Sequence, residues 1–215
     1  MPPDGLIELA ARGYDTDKDA GYLRHYETFL APLLERDVRL LELGVYRGGS
    51  LLLWRDYFPR GIIAGLDVNP VTVDDASGRI RVYQGSQDDP RVLGRIAAEV
   101  APEGFDVVID DASHVGSLTS ASFWYLFDHH LKPGGIYIVE DWGTGYWDEW
   151  PDGKTYDGTP HTAGMVGFVK ELVDECGVAD LTHPTRGRPP QRRSRIERMQ
   201  VSFGQVFVVK PHPQT

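Results

Sequence analysis

A doubly wound α/β sheet, mostly parallel and closed by an antiparallel hairpin, is the fold this sequence predicts. Three observations carry the prediction. Strand-like stretches alternate with helical ones five times, the order that builds a parallel sheet with helices on both faces. Two of those stretches, Phe105 to Asp110 and Gly135 to Val139, are short apolar runs rich in β-branched residues, as buried strands are. Both run into acids, Asp110-Asp111 and Glu140-Asp141, at the sheet edge where open α/β folds bind ligands.

The elements follow in order. Leu6 to Ala10 reads as a short helix. Apolar residues from Tyr22 to Leu34 keep a helical period, and Pro32 distorts the last turn. Together they suggest a helical cap over residues 1–35. Arg39 to Val45 is the first strand, followed by a glycine turn and a helix to about Tyr57. Gly61 to Val68 is the second strand. Arg79 to Gly85, which alternates, is a third strand nearer a sheet edge. Pro90 to Val100 is helical, the strand at 105–110 comes fourth, and Ser117 to His130 is helical again. Lys132-Pro133-Gly134-Gly135 reads as a turn before the fifth strand. Residues 142–160, with Trp142, Trp147 and Trp150 and no periodicity, read as a lid loop. His161 to Cys176 is an amphipathic helix stopped by Gly177, and a hairpin about Phe203-Gly204 closes the chain. With no internal repeat, residues 1–215 read as one domain.

Composition narrows the function. A hydrophobic fraction of 41% and a charged fraction of 25% suit a globular chain. The net charge of −10 argues against nucleic acid as partner. One basic run departs from it: Arg186, Arg188, Arg192, Arg193 and Arg195 around Pro189 and Pro190, expected as a solvated loop. Cys176 alone excludes an intrachain disulfide and fits a reducing compartment. No signal-peptide pattern and no membrane-length apolar run occur, so a soluble, cytoplasmic protein is expected.

The chemistry concentrates at strand ends. Acids on two adjacent strands would gather carboxylates about one point, an oxygen-rich set suited to Mg²⁺ or Mn²⁺. His114 follows Asp111 by three residues. The turn Glu42-Leu43-Gly44-Val45-Tyr46-Arg47-Gly48-Gly49-Ser50 occupies the nucleotide crevice, though it lacks the dinucleotide spacing G-x-G-x-x-G. Asp67 is placed to accept from ribose hydroxyls, and Gly85-Ser86-Gln87 ends the third strand where an adenine would lie. A nucleoside-type cofactor is therefore expected.

These residues resemble a family. Glu42-x-Gly44-x-Tyr46-x-Gly48-x-Ser50, Asp67 and Gly85-Ser86-Gln87 look like the S-adenosylmethionine (SAM) site of class I methyltransferases. Asp-Asp-Ala-Ser-His at 110–114 with Glu140-Asp141 resembles the metal-dependent sugar O-methyltransferases of macrolides such as macrocin and mycinamicin, and related enzymes of mycobacterial polysaccharides. Asp17-Lys18, His25-Tyr26 and Trp54 also look like that group, over roughly residues 14–210. The Arg/Pro loop 183–195 departs from it, as does the lack of a large N-terminal extension that some macrolide enzymes carry. The catechol O-methyltransferases are similar more distantly, with a lysine base where this chain has His114.

The resemblance implies a Rossmann-like methyltransferase sheet and transfer of a methyl group from SAM to a sugar hydroxyl. It implies Asp111, Glu140 and Asp141 as ligands of Mg²⁺ or Mn²⁺. His114 would be the base, since a free imidazole has a pKa of ~6.5, or else a metal ligand or a packing residue. Lys18 is implied at the cofactor and Asp110 in a supporting role near metal or cofactor. Trp142, Tyr146, Trp147 and Trp150 have the character to stack on sugar faces, and His161 is a weaker acceptor contact. The alternatives are a catechol or phenol acceptor, a non-haem iron enzyme, and a SAM-binding regulator without turnover. The expected partner is a saccharide or glycoside, with no nucleic acid or membrane; a homodimer is compatible.

Overall fold

The computed structural model describes residues 5–178 and 193–213. Seven strands form one sheet: β1 (Arg39–Leu43), β2 (Ile62–Asp67), β3 (Ile80–Gln84), β4 (Phe105–Asp110), β5 (Leu131–Glu140), β6 (Arg198–Val201) and β7 (Gln205–Val209). Their spatial order is β3-β2-β1-β4-β5-β7-β6. The first five run parallel, and β7 pairs antiparallel with both β5 and β6. The helices are α1 (Leu6–Ala10), α2 (Ala20–Leu30), α3 (Gly49–Tyr57), α4 (Pro90–Val100), α5 (Gly116–His129) and α6 (Gly164–Cys176).

Alternation along the strands feeds two cores. Leu40, Val107, Ile109, Ile136 and Ile138 face α1, α2 and α3, packing on Leu6, Tyr26, Leu51 and Trp54. Leu41, Leu43, Val108, Tyr137 and Val139 face α4, α5 and α6, packing on Leu93, Phe123, Phe127 and Phe168. Both faces are covered, which is why the central strands are mostly apolar. The N-terminal helices belong to the same core as α3. Pro32 converts the end of α2 into a 3-10 turn over Ala31–Leu33, as the sequence predicts.

The structure corrects two boundaries. Residues 132–135 are not a free turn but part of β5, which runs on from Leu131. Between Phe105↔Leu131 and Val107↔Ile136 the pairing advances two residues on β4 and five on β5, a bulge that absorbs Pro133 and the glycines. Helix α6 begins at Gly164, because residues 161–163 are spent on the preceding loop, and Gly177 ends it without a left-handed turn, at φ −81°. Arg186, Arg188, Pro189, Pro190 and Arg192 lie outside the described residues. Arg195 stacks 3.7 Å over the Trp124 ring and pairs with Asp128 at 3.0 Å, so this end of the basic run is attached to the fold. Among the described residues no helix is long and apolar enough to cross a membrane.

Candidate active site

The strand order reverses between β1 and β4, so the turns after both leave in opposite directions and open a crevice at their C-terminal ends. Gly44, at φ +79°, makes the first turn, and an added Cβ there would lie 2.1 Å from the Asp111 carbonyl oxygen. Asp67 shapes the same turn. Its Oδ2 accepts from the backbone N–H of Val45 at 3.0 Å and of Tyr46 at 3.1 Å, and its Oδ1 accepts from Asn69. A carboxylate has further lone pairs, so these bonds orient Asp67 without exhausting it.

Beside this turn lies a cleft of about 560 Å³. Lys18, Gly44, Tyr46, Ser50, Asp67, Gly85, Ser86, Gln87, Asp111, His114 and Asp141 all line it. Glu42, Gly48 and Asp110 do not; they sit beneath. Glu42 is fully buried and accepts from the Ser50 hydroxyl at 2.6 Å. Burial raises its pKa, opposed by Lys18 and Ser50. Asp110 is a buried hub that accepts from Gln87 at 3.1 Å, Ser122 at 2.8 Å and the Tyr137 hydroxyl at 3.0 Å. Neighbours on a strand face opposite ways, and Asp110 faces the core while Asp111 faces the cleft. Gln87 also accepts from the Ser113 N–H at 3.1 Å, so its amide braces the floor between two strand ends.

A second cleft of about 500 Å³ adjoins the first. Trp142, Tyr146, Trp147, Tyr22 and Phe203 give it aromatic walls, and Glu140 reaches it. Asp17, Lys18, Asp111 and Asp141 line both clefts and form the partition between them. The loop carrying the tryptophans is tied down: Trp142 Nε1 donates to Ser202 O and Trp150 Nε1 to Ser113 O, each at 3.0 Å. His161, expected near the acceptor, lines neither cleft. It is buried under the loop with Nε2 2.7 Å from Gly145 O, a bracket rather than a contact surface.

At the partition, donor atoms of Asp111, His114 and Asp141 lie within 4.8 Å of one another. His114 Nε2 stands 3.7 Å from Asp111 Oδ1 and 3.7 Å from Asp141 Oδ2, while its Nδ1 is buried without a protein partner. Of the three carboxylates expected as ligands, Asp111 and Asp141 face the imidazole directly, and Glu140 meets Asp111 at the Lys18 ammonium. Glu140 stands behind them, one oxygen held by the Tyr26 hydroxyl and the other by Lys18 at 2.9 Å. Lys18, expected at the cofactor, lines that cleft but gives its ammonium to acids: Asp111 at 2.7 Å, Glu140 at 2.9 Å and Glu42 at 3.6 Å.

The electrostatics follow from crowding acids in a dry place. Burial pushes Glu140 up to about 8, with Asp111 adding repulsion against the pull of Lys18. Burial likewise raises Asp111 to about 6, opposed by Lys18. Burial alone would drive the Lys18 ammonium down, yet the three carboxylates together hold it well above its usual value. The facing carboxylate oxygens, with the imidazole Nε2 turned to both, are a hard-donor set that fits a divalent cation. Tyr22, Asp15 and Phe203 were not read as site residues from the sequence, and Tyr26 entered only through the family resemblance. The available signal was a buried-helix stripe carrying hydroxyls just after a lysine, which periodicity alone assigns to the core.

Sheet order, crevice and acid partition together define the Rossmann-like methyltransferase fold. Over 97% of its length the chain is 37% identical to mycinamicin VI 2''-O-methyltransferase of Micromonospora griseorubida, covering 53% of that protein. It is 37% identical over 200 residues to 8-demethyl-8-alpha-L-rhamnosyl tetracenomycin-C 2'-O-methyltransferase of Streptomyces olivaceus, covering 89% of this chain and 50% of the relative. The solved MycE methyltransferase of mycinamycin biosynthesis, in complex with Mg, SAH and mycinamycin VI, superposes with a TM-score of 0.83 at 35% identity, covering 97% of this chain and 54% of that one. No family model matches. The resemblance to the macrolide-sugar O-methyltransferases therefore holds across nearly the whole chain, which spans about half the length of these relatives.

Proposed function

We propose that this chain carries the catalytic site of a SAM- and Mg²⁺-dependent O-methyltransferase acting on a sugar hydroxyl of a glycosylated small molecule. The observation that carries the reading is the shared wall. A cleft lined by Gly44, Asp67 and Gln87 meets an aromatic-walled cleft at Asp111 and Asp141, so donor and acceptor would meet at the acids. Supporting it, relatives of this chain are named for 2''-, 2'- and 3-O-methylation of antibiotic sugars. SAM supplies an activated methyl group, and a divalent ion supplies a Lewis acid that eases deprotonation of the acceptor hydroxyl.

The residues do the rest. Asp67 and the Val45–Tyr46 turn would hold the ribose end of the cofactor, and Gly44 lets it approach the backbone. Asp111 and Asp141 would hold the ion, with Glu140 beside them. His114, with Nε2 facing both, would take the hydroxyl proton, and removing that proton as the methyl arrives raises the nucleophile's strength. Trp142, Tyr146 and Trp147 would stack on the sugar and aim it, which converts encounter into a near-attack geometry. The glycosylated small molecules in the relatives' names support a small glycoside over a polysaccharide, and the charge of −10 supports a partner other than nucleic acid. A cytoplasmic place, one domain and a homodimer belong to the same reading.

Incubation with methyl-labelled SAM and a panel of deoxysugar glycosides, catechols and rRNA tests it. Label is expected on a glycoside, with Mg²⁺ present. Transfer to catechol alone would replace the acceptor class, and SAM binding with no transfer to any substrate would leave a regulator.

A further inference from the structure

Lys18, Tyr22 and Tyr26 are spaced four residues apart, the tyrosines on one face of α2 and the lysine just ahead of its N-cap, Asp19. Each points its polar head at the acid partition. The Lys18 ammonium donates to Asp111 Oδ2 at 2.7 Å and to Glu140 Oε2 at 2.9 Å. The Tyr22 hydroxyl donates to Asp141 Oδ1 at 2.5 Å. The Tyr26 hydroxyl donates to Glu140 Oε1. The oxygens left over are Asp111 Oδ1 and Asp141 Oδ2, and these are the two that face His114 at 3.7 Å.

A carboxylate on a broad terminal torsion offers either oxygen; one pinned by a donor offers the other. We propose that Lys18, Tyr22 and Tyr26 are a positioning ladder that fixes which oxygens of Asp111 and Asp141 meet the divalent ion, with Glu140 joining its Lys18 and Tyr26 rungs. The inference rests on the divalent-ion reading above and deepens it. Packing does not require the hydroxyls. Tyr26 is wholly buried, its ring against Trp54 at 4.9 Å and Phe207 at 5.7 Å, where phenylalanine would fill the same space. The Tyr22 hydroxyl is overhung by the hairpin tip, where a Cβ on Gly204 would lie 1.8 Å from it, and Gly204 O accepts the Asp141 N–H at 2.6 Å. Side chain and backbone of Asp141 are thus fixed from two directions. Such outer partners of metal ligands set orientation and basicity.

Tyr22→Phe and Tyr26→Phe remove the bonds and keep the rings. Mn²⁺ binding read by electron paramagnetic resonance, S-adenosylhomocysteine binding by calorimetry and the melting temperature are measured on each. The expected result is Mn²⁺ affinity weakened ~10–100-fold in Tyr22→Phe, with cofactor-product affinity and melting temperature unchanged. Tyr22 lines only the aromatic cleft, so the cofactor side should not respond. Tyr26→Phe is expected to weaken Mn²⁺ through Glu140 and Lys18. Parental Mn²⁺ affinity in Tyr22→Phe would overturn the ladder while leaving the ion site standing. Equal losses of all three readouts would make the hydroxyls merely structural and overturn it too. A parent protein that binds no Mn²⁺ would remove the divalent-ion reading itself, a distinct outcome.

Discussion

His114 and Asp141 are both non-glycine residues in the left-handed region, each at φ +52°. Such conformations cost energy and persist where surrounding contacts over-determine them. Asp141 has those contacts: Tyr22 at its side chain and Gly204 at its N–H. His114 is held by its carbonyl, which accepts from the Thr144 hydroxyl at 3.2 Å, and its ring lies 5.9 Å from that of Trp150. The strain turns the imidazole back over the strand end toward the acids. Substituting His114 by alanine is expected to cut turnover by ~10²–10⁴ while Mn²⁺ still binds through Asp111 and Asp141. Calorimetric loss of Mn²⁺ along with turnover would make the imidazole a ligand instead. For Asp67, alanine removes the brace of the Val45–Tyr46 turn and, on the proposed reading, a ribose acceptor with it. S-adenosylhomocysteine binding is expected to weaken by ~1–3 kcal/mol, and unchanged affinity would take the ribose role from Asp67.

Between β2 and β3 the chain is organised by one carboxylate. Asp75 accepts from the N–H groups of Ser77, Arg79 and Ile80 at 3.0, 2.9 and 2.8 Å, and from Arg55 at 3.1 Å. Burial would raise its pKa, but these hydrogen bonds win and hold it well below the usual carboxylate range. A depressed native pKa means the stabilisation is full above the unfolded value of ~3.9 and fades as pH falls through the native one. Asp75→Asn should therefore lower the melting temperature at pH 7, with the gap to the parent closing in strongly acid solution; a constant gap would remove the ionised form from the argument. Elements such as α4 and β4 were legible because period, cap and burial agree: Asp89 caps α4, Pro90 opens it and its apolar stripe is regular. The start of β5 was illegible because Pro133 and two glycines carry turn chemistry while pairing partners far away decide otherwise. Gly134 N–H donates to Lys210 O, and Lys210 N–H donates back to Gly135 O, both at 3.0 Å. His161 misled for a similar reason, since a histidine beside a loop looks the same in sequence whether it faces a ligand or a carbonyl. Glu140 was placed at the right strand end, but only the fold brings Lys18 and Tyr26 to it.

At the scale of the whole molecule, the acids come from the C-terminal ends of β4 and β5, while their neutralising groups come from α2 and the segment before it. Opposite layers of the fold thus meet at one partition. Asp111 and Glu140 share one resident cation, Lys18, which partners both and offsets their charge in part. A buried pair such as this contributes little net stability, yet it spares the fold the larger penalty of unpaired buried carboxylates. Two consequences separate fold from activity. Chelation is expected to leave the melting temperature close to that of the parent, since Lys18 and the tyrosines keep the acids partnered. Turnover is expected to vanish, because the acceptor hydroxyl loses its Lewis acid, and to return with Mg²⁺ or Mn²⁺. Asp141→Ala should resemble chelation in turnover and respond weakly to added metal, because it removes one of the two oxygens facing His114. Methyl transfer at the parental rate in excess chelator would sink the metal mechanism. Unfolding on chelation would instead show that Lys18 does not suffice as counter-charge, and that the ion is structural.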